Sequence, residues 1–238
     1  MMISKRKIIF IIVEGISDQT ALAAIMSKLI RTDNVIVEFT RGDITTEFGV
    51  SPSNIASKIG DFVKQYSKPY SYKASDYLEV IHIIDTDGAF IGNDKVLEAS
   101  VVETYYGCDS IKTSNCQKII DRNQRKAENV KKLISLPKVW VSIPYSVYFF
   151  SCNLDHVLHD KANVPGKDKD RLATEFARKY RYHPEDFLTF IQDNTYAINK
   201  TYIDSWKHIK EGENSLKRYT NVNLIFSEQA KNIKRILI

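Results

Sequence analysis

The chain is predicted to be an α/β protein, a parallel sheet flanked by helices and followed by a mostly helical C-terminal extension. Three observations predict it. Ile-rich runs read as strands buried on both faces, they alternate with stretches of helical spacing through the first half, and helical spacing takes over in the second. Lys7–Val13 is almost continuously apolar, which suits a central parallel strand. Leu22, Ile25, Met26 and Leu29 then recur at helical spacing, so a helix runs to about Ile30, with Gly15 permitting the turn before it and Ser17 placed to cap it. A strand over 35–40, a helix over about 53–66 and a strand over 77–84 continue the alternation. Residues 87–110 are less regular and read as a loop or insertion. A helix over about 115–136 and a short strand over 138–143 follow, then helices over 168–180, 184–192, 202–209 and 228–237. The expected division is a catalytic-type domain over 1–160 and a helical extension over 161–238.

Acids stand where the strands end. Glu14 falls just past the first strand, and Asp85 and Asp87 close the run that begins at Tyr77. In open α/β sheets, sites gather outside the carboxyl ends of the strands. If the strand persists, positions i and i+2 point the same way, so Asp85 and Asp87 are expected to converge with Glu14 on one side. Such hard oxygen ligands suit Mg2+ or Mn2+, which keep several waters and accept phosphate oxygens.

At Val13-Glu14-Gly15 and Asp85-Thr86-Asp87 the chain resembles the toprim fold, the catalytic module of topoisomerases, bacterial primases and several nucleases. The longer string Glu14-Gly15-x-Ser17-Asp18-x-x-Ala21-Leu22 looks most like the overcoming-lysogenization-defect (OLD) nucleases and their relatives. The resemblance implies Glu14, Asp85 and Asp87 as catalytic residues holding one or two Mg2+ ions, with Asp18 as a further metal-holding acid. It also implies hydrolysis of DNA or RNA phosphodiester bonds, tRNA included, by the effector of a bacterial or phage-related defence system. Gly42, in Arg41-Gly42-Asp43, fits the small-residue loop that toprim proteins carry near the metal; as ordinary turn residues the three need no such role.

A third segment, Ser151-Cys152-Asn153-Leu154-Asp155-His156-Val157-Leu158-His159, is similar to one that follows the last strand in RloB-like toprim nucleases, with Asp155 where those have Glu. Ser151 or Asn153 is placed to cap a short helix that sets Asp155 and His159 four residues apart. Asp155 reads either as a metal ligand or as a first-turn helix acid. His159 reads either as an auxiliary group near water or phosphate, or as a packed histidine.

Charge is unevenly spread over the 238 residues, whose formal net charge is +5. Residues 1–109 hold 11 basic and 15 acidic side chains, and the rest hold 23 basic and 14 acidic, so the halves carry −4 and +9. Arg122, Arg125, Lys126, Lys131 and Lys132 share one expected helix and are candidate nucleic-acid contacts; a second basic cluster spans 167–181. No stretch reaches transmembrane length, so a cytoplasmic protein without a membrane partner is expected. The three cysteines lack a Cys-x-x-Cys pair, which excludes a zinc ribbon and with it a primase of the usual kind. A topoisomerase, with its tyrosine-bearing domain and larger clamp, is not expected at this length. No phosphate-binding Gly-Lys-Ser/Thr loop is present, so the ATPase half of OLD nucleases is not expected in these residues, and a separate ATPase or sensor partner is left open, as is a homo-oligomer. A haloacid-dehalogenase-like phosphatase needs an early nucleophilic Asp, and the first strand ends in Glu14. A non-catalytic nucleic-acid-binding module stays as the alternative.

Overall fold

The structure, a computed structural model, describes residues 6–227. The chain opens with β1 (Lys7–Val13), α1 (Ile16–Ile30), β2 (Val35–Arg41), α2 (Ile55–Ser67) and β3 (Tyr77–Asp85). Three short strands follow, β4 (Val96–Glu98), β5 (Tyr105–Tyr106) and β6 (Ile111–Thr113), then α3 (Cys116–Ile134), β7 (Lys138–Val139) and β8 (Ile143–Ser151). The remainder is α4 (Leu154–His159), α5 (Gly166–Tyr180), α6 (Pro184–Ile191), α7 (Tyr202–Ile209) and β9 (Tyr219–Thr220). The main sheet runs β2-β1-β3-β8-β7, with β9 also on β8. β2, β1, β3 and β8 are mutually parallel, whereas β7 and β9 run antiparallel to β8.

Side-chain alternation along β1 divides the interior in two. Ile9, Ile11 and Val13 pack in one core with residues of α1, α5 and α6, and Ile8, Phe10 and Ile12 pack in the other with residues of α2, α3 and α7. This is an α/β protein with helices on both faces of a mostly parallel sheet. The first crossover places β2 on one side of β1 and the next places β3 on the other. Strand order therefore reverses between β1 and β3, the point at which ligands enter folds of this kind.

Two differences from the expected elements have plain causes. The expected strand 138–143 is broken because Trp140 and Val141 take positive φ, 36° and 71°, and turn the chain back so that Val139 pairs with Ile143. The sheet strand begins there and runs to Ser151 as buried Val147, Phe149 and Phe150. Within 87–110, expected as irregular, β4 and β5 flank β6 in a small separate sheet with its end at Thr113. The segment after residue 160 packs into the same cores: α5 lies on α1, and Thr220 pairs with Phe150. The helix expected over 228–237 lies outside the described residues. No helix among the described residues is long and apolar enough to cross a membrane.

Candidate active site

Both strands that flank the order reversal end in an acid. Glu14 follows Val13, whose register partner is Arg41, and Asp85 is the last residue of β3, opposite Phe150. Gly15, in extended conformation, is the N-cap of α1, and its N–H donates to Asp18 Oδ2 at 2.7 Å. Ser17, expected as the cap, lies instead inside the first turn and its hydroxyl donates to Asp170 Oδ1 at 3.1 Å. A glycine with no side chain to offer is thus served by the Asp18 carboxylate three residues on.

Asp85 and Asp87 line one cleft but take different partners. The strand stops at Asp85, and Asp87 takes φ of 50°, followed by Gly88 at 67°, so the i, i+2 rule no longer applies. Asp85 Oδ1 accepts the N–H of Leu154 at 2.9 Å, at the start of α4, where orphan helix donors favour an anion. Asp87 Oδ2 instead meets the Lys126 ammonium at 2.5 Å.

Helix α3 supplies that ammonium from inside the protein. Its buried stripe, Ile119, Asn123, Lys126, Val130 and Leu133, keeps helical spacing, with Lys126 seated in the middle of it. Lys126 Nζ reaches Glu14 Oε1 at 2.9 Å as well as Asp87, and its side chain is 0% exposed. Neighbours on the helix hold the backbone of both acidic loops. Arg122 donates to the Asp87 carbonyl at 2.8 Å and to the Tyr106 hydroxyl at 2.6 Å, and Asn129 donates to the Thr45 carbonyl at 2.9 Å. Thr45 in turn donates to Asp43 at 3.1 Å and, more weakly, to Glu14 at 3.4 Å.

On the other side of the site Asn153 caps α4, accepting the His156 N–H at 2.9 Å, and so sets the buried Asp155 in its first turn. Asp155 Oδ2 pairs with Lys169 at 3.4 Å, and its Oδ1 is buried without a partner. His159 turns away: its ring stands edge-on to Phe176, 5.7 Å between centroids, and burial lowers its pKa. That packing supports the reading of His159 as a packed histidine.

The carboxylates act on one another through low-dielectric surroundings. Burial raises the Glu14 pKa to about 8, against the pull of Lys126 and helped by Asp87 and Asp43. Burial also lifts Asp85 well above the usual range, reinforced by Asp18, Glu14 and Asp87. Asp18 is raised by burial too, moderated by the Gly15 N–H and augmented by Asp155. For Asp87 burial pushes upward, but Lys126 and Arg122 outweigh it and hold the carboxyl below its ordinary value.

Comparison with protein-family models, curated proteins and solved structures found no match. The site is therefore read from its own chemistry. Among the described residues no three acidic, His or Cys side chains stand as a formed metal cage. The reason lies in the partners just given: Lys126 takes Glu14 and Asp87, Lys169 takes Asp155, and backbone N–H groups take Asp85 and Asp18. A hard divalent cation nevertheless suits what is there. The donors are all oxygen, five carboxylates face two ammonium groups, and one oxygen of buried Asp155 is unpartnered.

The basic residues expected to grip nucleic acid do not form one surface. Lys131 and Lys132 are exposed, Arg125 is partly buried with its Nε unpartnered, and Arg122 and Lys126 face inward to the acids. Lys126 is corrected from a phosphate-facing residue to an internal counter-ion, because its position on the helix is a core position. A cleft of about 370 Å³ opens on Asp85, Asp87 and Lys169.

Proposed function

We propose that this chain is a toprim-type nuclease of the OLD and RloB-like branch, cleaving nucleic-acid phosphodiester bonds with Mg2+ or Mn2+ in the cytoplasm. One observation carries the reading: Glu14 and Asp85 close the two parallel strands that flank the order reversal, with Asp18, Asp87 and Asp155 gathered beside them. Glu14, Asp18, Asp85, Asp87 and Asp155 would hold the metal. When bound, the ion supplies a nucleophilic water at neutral pH and positive charge at the scissile phosphate. With its pKa raised to about 8, Glu14 is mostly protonated at neutral pH without metal, and a bound cation would favour the carboxylate that can hold metal or accept a proton. Lys169, on the cleft wall, offers a phosphate its free N–H donors. The biological setting proposed is a bacterial or phage-related defence system, with recognition or ATP hydrolysis left to a separate partner.

Purified protein incubated with single- and double-stranded DNA and RNA, in Mg2+, Mn2+ or EDTA, tests this. Cleavage that needs the metal and is lost in Asp85→Asn is expected. Intact substrate under every condition would overturn it.

A second reading is favoured by Lys126, which already neutralises two of the acids from within. A site so compensated also suits a non-catalytic module that binds nucleic acid for a partner ATPase or sensor. Binding that persists in EDTA without cleavage in any metal would select it.

A further inference from the structure

Beside the cleft that opens on Asp85 and Asp87 lies a second hollow of about 430 Å³, lined on its own side by Lys161, Leu172 and Arg171, the last paired with Asp168 of the same hollow at 3.3 Å. Tyr105 and residues 162–165 line both hollows, so the two adjoin along a shared wall and outline a groove whose inner part reaches Asp85 and Asp87. Its two walls come from distant parts of the chain and are joined by a reciprocal pair. The Tyr106 N–H donates to Asn163 Oδ1 and Asn163 Nδ2 donates to the Tyr106 carbonyl, both at 2.8 Å. Asn163 thereby pairs with the edge of β5 as a neighbouring strand would, and holds the adjacent Tyr105 beside the groove. The Tyr105 side of β5 is open: the residue is 49% exposed, and its register partner on β6 is the exposed Lys112.

We propose that this groove binds single-stranded nucleic acid, with a base resting on the Tyr105 ring and phosphates passing Lys161, Arg171 and Lys169 toward Asp85 and Asp87. The proposal rests on the nucleic-acid reading above and names its substrate class. An unpaired strand presents free base faces that stack on an aromatic ring whatever the sequence, whereas a duplex keeps those faces inside its own stack. Each hollow falls in the range of about 300–1,000 Å³ that encloses a small molecule, the scale of a nucleotide unit and not of a double helix. Lys169 lines the inner hollow with Asp85 and Asp87 and pairs with Asp155 at 3.4 Å, so it stands at the acidic end.

Fluorescence anisotropy of a short labelled oligonucleotide, as a single strand and as a duplex, tests this in EDTA, where binding is read without cleavage. The single strand is expected to bind at least tenfold more tightly than the duplex. Tyr105→Ala is expected to weaken single-strand binding about tenfold, the effect of removing one ring on which a base stacks. Lys161→Gln with Arg171→Gln is expected to make the log-affinity versus log-salt slope shallower by about 0.7 for each phosphate no longer neutralised. All three side chains are exposed, and melting curves check that the variants fold. Equal affinity for both forms, or an unchanged affinity in Tyr105→Ala, would overturn the groove. If the wild type binds the single strand as described yet cleaves nothing in Mg2+ or Mn2+, the groove stands and the hydrolase reading falls. If it cleaves while Tyr105→Ala binds unchanged, the reverse holds.

Discussion

The Lys126 ammonium lies 2.9 Å from Glu14 Oε1, across 112 residues of chain, in a position closed to solvent. Removing one partner of such a buried pair leaves uncompensated charge, whereas removing both lets the site close over neutral groups. Lys126→Met is therefore expected to destabilise the fold by about 3–5 kcal/mol. Adding Glu14→Gln and Asp87→Asn should restore much of the loss. Urea unfolding of the single and triple variants at neutral pH measures both, and an undisturbed midpoint in Lys126→Met would remove the ion pair from the account.

Asp85 and Asp87, equivalent by their spacing, are expected to respond oppositely to loss of charge. Asp85→Asn relieves repulsion from Asp18 and Glu14 and keeps an oxygen for the Leu154 N–H, so the metal-free melting temperature should hold or rise. Asp87→Asn gives up its pairing with Lys126 and should melt lower. Both should lose metal-dependent cleavage. Thermal melts without metal, beside cleavage assays, check the pair; identical shifts in the two variants would contradict the difference in their partners.

Stability should fall as pH rises from about 6.5 to 8. Glu14 has a folded pKa of about 8 against an ordinary 4.5, so the folded state binds more protons than the unfolded one between those values. The slope of stability with pH is then negative in that window, and the raised pKa values of Asp85 and Asp18 carry the same sign wherever they titrate. His82 opposes them at lower pH. Its folded pKa of about 3, set by burial, makes stability rise with pH up to its ordinary 6.5. Above that value the raised carboxyls dominate. Melting curves of wild type and Glu14→Gln through the window test the sign, with the variant expected to be flatter; parallel curves would refute it.

Asp155→Asn should raise the Mg2+ concentration needed for half-maximal cleavage, because an anionic oxygen is lost while the other acids remain. A helix-start acid alone would change stability by about 1 kcal/mol or less and leave the metal requirement where it was. Cleavage across a Mg2+ titration separates the two. Superimposed titrations would take Asp155 out of the site.

The α/β class, the order of the long elements and the strand-end positions of Glu14 and Asp85 were legible in the chain itself, because hydrophobic period and turn chemistry act between near neighbours. Tyr202–Ile209 and Lys7–Val13 match their expected bounds. Partner choice across the fold was not legible. Asp85 and Asp87 are two residues apart, and nothing local reveals that one turns to the start of α4 and the other to α3. Lys126 left a trace: it interrupts a stripe of core positions at helical spacing, where a charge must find a partner or lose its proton. Which acids would receive it depended on α3 packing across the sheet beside the ends of β1 and β3. So did the clasp of Asn163 on Tyr106, since a side-chain amide finds a strand edge only once distant segments are brought together. Short-range periodicity determines what each segment becomes, and packing between segments far apart in the chain determines which charges meet.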